Sequence, residues 1–596
     1  MNKLVNSQRS HWYSLVIPLL VIFSLLLGAC QAPAAPAPAA DAPAATEAPA
    51  EEAAAPADAM TTIYGTKLPD DAAPYEEQVL HLACDNGSSA TTFDFTVAVY
   101  NRYCLADLFQ DTLIDLDKDF NVVPASAESW EVADDGVTWT FHIKPGLQWS
   151  DGTPLTAYDW EATYRYAADP EHAWDFTWFY AGVIKNWDEV VAGEVPVEEL
   201  GVVAVDDLTL QIITKDLFPP LPGMMKFSFV MQKKAMEEHG PYYNNDPATS
   251  VSAGPFMLES FEEGKKIVVV ANPNYKGFRQ PRLQRLEGIF MSTSTMFAAF
   301  QNGEIDEMGY GALSPADFEL VLSDPVMSQN YLRHFGDFRT DYLVMDTYTE
   351  PFNNLDVRKA FAHAFDREAI IKNVYTEIKA LPAYSMLMPG FPSSDVDGKL
   401  KEYQNFDCDL AKQHLSDAGF PGGEGFPKLE MWLRGENPTR MAVYQAVAAS
   451  IAECLSVEIE ISNKDRKVYM DALNADPTQI VFGAVDYGMD FLDPVNMLGI
   501  WLSTGRHSWK NDEFDNLVID AGKIVDDPVK RDQMFREAER ILVDDVGGIF
   551  VAHEWQGDLF QPYVQGDSFR EPDSNGVSGQ HWGNDWIWGN KYIAKH

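Results

Sequence analysis

The first sixty residues constrain this chain most, because they withhold a tenth of it from any folded core. Residues 1–12 carry Lys3 and Arg9 and no acid. From Trp12 to Leu27 the chain is apolar, WYSLVIPLLVIFSLLL, interrupted only by Ser14, Pro18 and Ser24. The run ends in Leu27-Gly28-Ala29-Cys30. A charged start, an apolar middle and small residues before a cut form an export signal. The competing readings are a plain secretory signal and a membrane helix, but the run falls short of the about 20 apolar residues that span a bilayer. Residues 31–60, QAPAAPAPAADAPAATEAPAEEAAAPADAM, are rich in Ala and Pro. Such a segment lacks the apolar side chains to bury a core. In an extended polyproline conformation it reaches on the order of 90 Å.

Leu27-Gly28-Ala29-Cys30 resembles the bacterial lipobox. The resemblance implies that residues 1–29 are a signal peptide and that Cys30 is lipidated as the mature N-terminus. The expectation is an extracytoplasmic body, lipid-anchored to the membrane through a tether over 30–60. No later stretch has 18 or more apolar residues, so nothing else is expected to span.

The remaining length exceeds one compact core, so two or three domains are expected from 596 residues. The formal net charge of -46 argues against a nucleic-acid partner, which needs a basic face. The 15 Trp exceed ordinary usage and suit a pocket that grips ligands by stacking, although most aromatic residues belong to cores.

The body begins near Pro74, with Val79–Ala83 as a first strand. Ser129–Val132 and Thr138–Ile143 are two more, separated by the turn Asp134-Asp135-Gly136. A helix starts at Ala157 with Asp159 in its first turn, and Val202–Thr214 reads as a hairpin. Leu355–Tyr375 has helical periodicity throughout and is expected to be one helix. Asp407–Ala418, Tyr444–Leu455 and Val529–Val543 are further helices, and Leu429–Leu433 and Val457–Ile461 are strands. Strands and helices alternate without a repeat, so the fold class is α/β.

Val481–Leu498, VFGAVDYGMDFLDPVNML, is the stretch with the clearest chemistry. A short apolar strand runs into three acids, Asp486, Asp490 and Asp493, and Pro494 ends it. A strand that stops at a carboxylate-bearing loop can present charge to a cleft, and Asp490 is the candidate to meet a cationic group. A turn whose aspartates cap backbone amides is the other reading of the same residues.

Several runs together resemble the solute-binding proteins of ABC transporters, in the oligopeptide- and dipeptide-binding class, family 5. They include Pro124-Ala125-Ser126-Ala127-Glu128-Ser129-Trp130, Trp149-Ser150-Asp151-Gly152-Thr153-Pro154 and Ala253-Gly254-Pro255-Phe256. Asn272-Pro273-Asn274-Tyr275, Asn302-Gly303-Glu304-Ile305-Asp306, Asp356-Val357-Arg358-Lys359-Ala360-Phe361 and Asp417-Ala418-Gly419-Phe420-Pro421 continue the series. Their order, from about residue 76 to 566, carries the likeness. It implies a two-lobed periplasmic-binding-protein-like fold with a hinge. The first lobe is expected over 61–120, 251–336 and 546–596, with an additional region over 121–250 and the second lobe over 337–545. It implies a monomer that binds a peptide or other small solute between its lobes and presents it to an ABC permease. In peptide-binding members an Asp-x-x-Asp-Pro loop pairs with the peptide amine, and Asp490-Phe491-Leu492-Asp493-Pro494 has that form. Tyr487, Trp501, Trp432 and Trp178 are expected to wall the pocket, with Phe176 and Tyr180 nearby, and Arg434 is a candidate to hold a carboxylate; core aromatics and a surface arginine are the other readings of these residues.

Four cysteines remain after Cys30, and an even number in an exported chain suggests two disulfides with three possible pairings. Sequence neighbourhood favours Cys84–Cys104 and Cys408–Cys454 over four buried thiols. Their spacing does not suit a zinc ribbon, so no metal and no cofactor is expected. An enzyme is not expected either: Gly576-Val577-Ser578-Gly579 is no nucleophile elbow, and His553-Glu554 lacks the second His of a metalloprotease. An oligosaccharide-binding relative, an exported hydrolase and a sensory lipoprotein are the alternatives.

Overall fold

The computed structural model describes residues 58–85, 90–376, 378–434, 438–475, 478–580 and 586–596. The export signal, Cys30 and most of the spacer lie outside the described residues. Among the described residues no helix is long and apolar enough to cross a membrane.

Three sheets organise the body. A seven-stranded sheet runs in the order Tyr331–His334, Gln556–Phe560, Glu307–Gly309, Val79–Asp85, Arg285–Met291, Lys266–Ala271 and Phe256–Glu262. A six-stranded sheet runs Ala380–Pro382, Ile549–Glu554, Thr340–Met345, Phe482–Tyr487, Leu429–Arg434 and Ile459–Lys464. A four-stranded antiparallel sheet, Ala127–Val132, Thr138–Ile143, Thr209–Ile213 and Val202–Asp206, packs into the same core as the seven-stranded one. Alternation explains the first strand: Leu80, Leu82 and Cys84 are buried while their neighbours are partly exposed.

The six-stranded sheet follows a different rule. Thr340–Met345, Phe482–Tyr487 and Ile549–Glu554 are buried at every residue. Helices and loops cover both faces, so alternate side chains enter two separate cores. Tyr342, Val344 and Val485 join one, and Leu343, Met345 and Ala484 join the other. Asp341, Asp486 and Glu554 lie on these same strands, so three carboxylates are built into the interior.

The chain passes between the seven- and six-stranded sheets twice, at residues 335–339 and at Trp555. The crossings lie side by side, joined by Glu554 N–H donating to the Arg339 carbonyl at 2.9 Å.

Most sequence-derived elements form with shifts of a residue or two. Two depart further: the helix expected over Tyr444–Leu455 already begins at Pro438, and Leu355–Tyr375 is broken. Helix Leu355–His363 ends, and a new one, Arg367–Ile370, begins with Asp366 as its cap, accepting from Ala369 N–H at 3.1 Å. Asp366 lies beyond helical φ/ψ, and its carboxylate satisfies an amide that would otherwise be orphaned. The periodicity continues across the break because both pieces pack against the same core. Cys84 pairs with Cys104 and Cys408 with Cys454, each with Cα atoms 5.8 Å apart. The second bridge ties the start of helix Cys408–Asp417 to the end of helix Pro438–Leu455.

Candidate ligand-binding site

The site grows from the end of strand Phe482–Tyr487. The strand leads through residues 488–493 into helix Pro494–Gly499. Asp493 caps that helix, accepting from Val495 N–H at 3.0 Å, and Pro494 fills the first helical position. Arg531 grips the same carboxylate at 2.6 Å, so Asp493 is structural. The loop is pinned at its other end by Met489 N–H donating to the Asp337 carbonyl at 2.6 Å. Gly488 permits that approach, because a Cβ there would lie 2.0 Å from Asp337 Oδ2.

Asp490 is therefore held between two anchored segments. Its N–H donates to Asn496 Oδ1 at 2.9 Å. Its Oδ2 accepts from the Tyr487 hydroxyl at 2.5 Å and from Asn496 Nδ2 at 3.2 Å. Its Oδ1 has no donor among the described residues, and the side chain is partly exposed. Burial raises the carboxyl above its ordinary range; the Tyr487 and Asn496 hydrogen bonds and the charge of Arg506 offset this only in part.

Tyr487 and Asn496 line a cavity of about 670 Å³. Trp178, Phe179 and Phe218 form one wall; Tyr487, Phe491, Asn496, Arg506 and His507 are on the other. The walls touch around Arg506, whose guanidinium lies 5.4 Å from the ring centroids of both Trp178 and Tyr487. Trp178 Nε1 also donates to the Tyr100 hydroxyl at 3.3 Å. Phe176 lies behind Trp178, its ring centroid 4.7 Å away, and Tyr180 is buried deeper in the same aromatic cluster.

The other expected wall residues lie elsewhere. Trp501 is fully buried, packed on Tyr342 and on His507, and His507 takes the cavity face instead. Trp432 is on the neighbouring strand with the Lys464 ammonium 4.1 Å over its ring, away from the cavity lining. Arg434 is held by Asp486 at 2.8 Å. Arg440, at 3.0 Å, and Arg339 meet the same carboxylate. Burial would raise Asp486, but Arg440, Arg339 and Arg434 outweigh it and hold the group well below the carboxylate range. The arginines also reach Asp337, Asp341 and Glu554, so this network braces both crossings between the sheets.

Asn496, Arg506 and His507 escaped the sequence reading. Asn496 had a signal: an amide two residues after the Asp-Pro cap, on the first turn of a helix, is placed to reach back to its own loop. Arg506 follows Thr504-Gly505 with no periodic pattern, and only the fold brings it to Tyr487.

The profile of the bacterial extracellular solute-binding proteins, family 5 Middle, matches residues 121–509. The periplasmic oligopeptide-binding protein OppA of Salmonella typhimurium is 28% identical over 483 residues, 79% of this chain and 86% of that protein. The probable deoxycholate-binding periplasmic protein YgiS of Escherichia coli is 27% identical over 476 residues, 78% of this chain and 86% of that protein. Among solved structures, a periplasmic oligopeptide-binding protein of Borrelia burgdorferi superposes with a TM-score of 0.69 at 22% identity, covering 87% of this chain and 100% of the other. That likeness is one of fold, the two-lobed periplasmic-binding-protein architecture.

Proposed function

The chain belongs to the bacterial extracellular solute-binding proteins of family 5, and from that premise we propose that it captures peptides by their free amino group and delivers them to an ABC permease. The cavity beside Tyr487 and Asn496 is the capture site, and a lipid on Cys30 holds the protein at the membrane.

One observation carries the peptide reading: Asp490 has one oxygen held by two neutral donors and the other left without one among the described residues. A carboxylate so arranged is positioned, only partly compensated, and completed by a cation. An ammonium entering a low-dielectric cleft needs such a fixed counter-charge, because its desolvation is otherwise prohibitive. Trp178 and Phe179 on one wall and Tyr487 on the other supply apolar contact that tolerates varied side chains.

Residues 335–339 and Trp555 act as the hinge between the lobes. A ligand touching both walls favours closure through its differential affinity for the closed state.

The test is native mass spectrometry of residues 58–596 purified from cells without refolding, followed by denaturation to release what is bound. A spread of peptide masses in the wild type and reduced occupancy in Asp490→Asn are expected. A single carbohydrate mass, or an amine-free ligand such as a bile acid, would overturn the amine role of Asp490.

A further inference from the structure

The seven-stranded sheet buries a reactive set of side chains that ligand capture does not use. Strands Glu307–Gly309 and Gln556–Phe560 pair antiparallel, with Glu307 opposite Phe560 and Gly309 opposite Asp558. Side chains alternate along each strand, so Glu307, Asp558 and Phe560 point from one face. Lys591, just after helix Trp586–Asn590, is fully buried against that face. Its Nζ donates to Glu307 Oε2 at 2.6 Å and to Gln580 Oε1 at 2.9 Å. The ring centroids of Trp588, Phe569 and Phe560 lie 4.5, 5.4 and 5.5 Å from it.

Two features set this apart from an ordinary ion pair. Glu307 alone would balance the charge, yet a primary amide is fixed against the same amine. Gln580 Nε2 donates to Asp558 Oδ2 at 3.2 Å. His334 Nε2 donates to the same oxygen at 3.1 Å, since its Nδ1 accepts from Gly336 N–H at 3.0 Å. A carboxylate at one end and an ammonium at the other orient the amide, its NH2 toward Asp558 and its oxygen toward Lys591. The amide carbon is thereby held beside Nζ, as an intramolecular attack requires. The second feature is the surroundings. Burial raises the Glu307 carboxyl above its ordinary range, and Lys591 offsets this only in part. Passing the ammonium proton to Glu307 removes two buried charges and leaves a neutral amine, the nucleophilic form.

We propose that Lys591 and Gln580 become joined by an isopeptide bond, with Glu307 moving the protons. Glu307 takes a proton from Nζ, and the Nζ lone pair attacks Gln580 Cδ. The Nζ–Cδ bond forms, Glu307 returns its proton to Nε2, and the Cδ–Nε2 bond breaks to release ammonia. The new amide nitrogen gives its extra proton to Glu307, which ends neutral. Nothing is oxidised or reduced. The bond closes residues 580–591 into a ring against the seven-stranded sheet. It is independent of the peptide reading, since none of these side chains lines the cavity beside Tyr487.

Peptide mapping of the full-length protein tests it. Trypsin cuts after Arg570, Lys591 and Lys595, so Gln580 and Lys591 both fall within 571–595. The expected species is this peptide uncut at Lys591 and lighter by about 17 Da, one ammonia. Gln580→Ala should restore the cut at Lys591 and the full mass of its sequence while keeping the ion pair. Glu307→Ala should do the same, with thermal unfolding showing that each variant is folded. If Glu307→Ala does not fold, the wild type and Gln580→Ala decide. A wild-type peptide of full mass, cut at Lys591, overturns the bond. An ammonia loss with Lys591 still cut belongs to ring closure at Asn575-Gly576 and overturns it equally. Lys591 joined instead to the peptide containing Glu307, with loss of about 18 Da, one water, overturns the role of Gln580. A bond that persists in folded Glu307→Ala overturns the role of Glu307.

Discussion

Asp486 and Asp490 sit four residues apart at the end of one strand and have opposite environments. Asp486 is buried and meets three arginines; Asp490 is partly exposed and meets a phenol and an amide. The first is driven well below the carboxylate range and the second is raised above it. A carboxylate whose partners are all supplied by the fold is a brace. On the proposed reading, a carboxylate whose partners are neutral, with one oxygen unmatched among the described residues, receives the ligand. The contrast depends on alternation along the strand and on the turn at Gly488, which separates the loop carrying Asp490 from the network below.

The largest effect should come from breaking the brace. Asp486→Ala leaves three arginines facing each other in the interior, and the expected loss is about 3–5 kcal/mol, read by denaturant unfolding. A loss below about 1 kcal/mol would mean the arginines are already served by Asp337, Asp341 and Glu554. The disulfides set a scale beside this. Replacing Cys408 and Cys454 by Ser should cost about 4 kcal/mol, and Cys84 and Cys104 about 3 kcal/mol, since the Cys408–Cys454 bridge closes the longer loop.

Asp490→Asn should separate the two roles. Peptide affinity is expected to fall by about 1.5–3 kcal/mol in calorimetry, the worth of a charge-assisted hydrogen bond. Stability of the empty protein should not fall, because a carboxyl whose folded pKa is raised destabilises the charged fold. That group favours folding most at low pH, and its contribution is lost as pH rises through its raised pKa. An Asn variant less stable than the wild type at neutral pH would return Asp490 to a structural role.

The smallest expected effect is in the pH dependence. An ammonium ligand needs Asp490 charged, so affinity should begin to weaken, as pH falls, above the ordinary carboxylate range. Asp486 behaves oppositely: its folded pKa is lowered, so its contribution to stability is complete above the unfolded carboxylate pKa and lost only in stronger acid. Titrating affinity and unfolding on the same samples should show affinity failing first. Simultaneous loss would merge the two carboxylates into one event.

Part of this was legible in the chain. The alternating strand at Val79, the hairpin at Val202 and the Asp-Pro start of helix Pro494–Gly499 rest on local periodicity and capping, which operate within a few residues. The Asp490 loop was legible as a motif. The break at Asp366 was hidden because two helices sharing one core keep one hydrophobic period, although Asp366-Arg367-Glu368 carried a capping signal. Trp501 could not be told from Trp178, since no local pattern says whether a tryptophan ring faces a core or a cavity.

The amino-acid sequence by itself determined the α/β class, the strand and helix segments and the acidic loop that ends a buried strand. Each follows from interactions between residues close along the chain. Only the tertiary structure decided which acid is matched and which is left open. Arg339, Arg434 and Arg440 lie 147, 52 and 46 residues from Asp486. Trp178 reaches Arg506 from another sheet region altogether. A carboxylate's role is set by the charges and dielectric around it, and folding brings those from distant segments that no local pattern encodes.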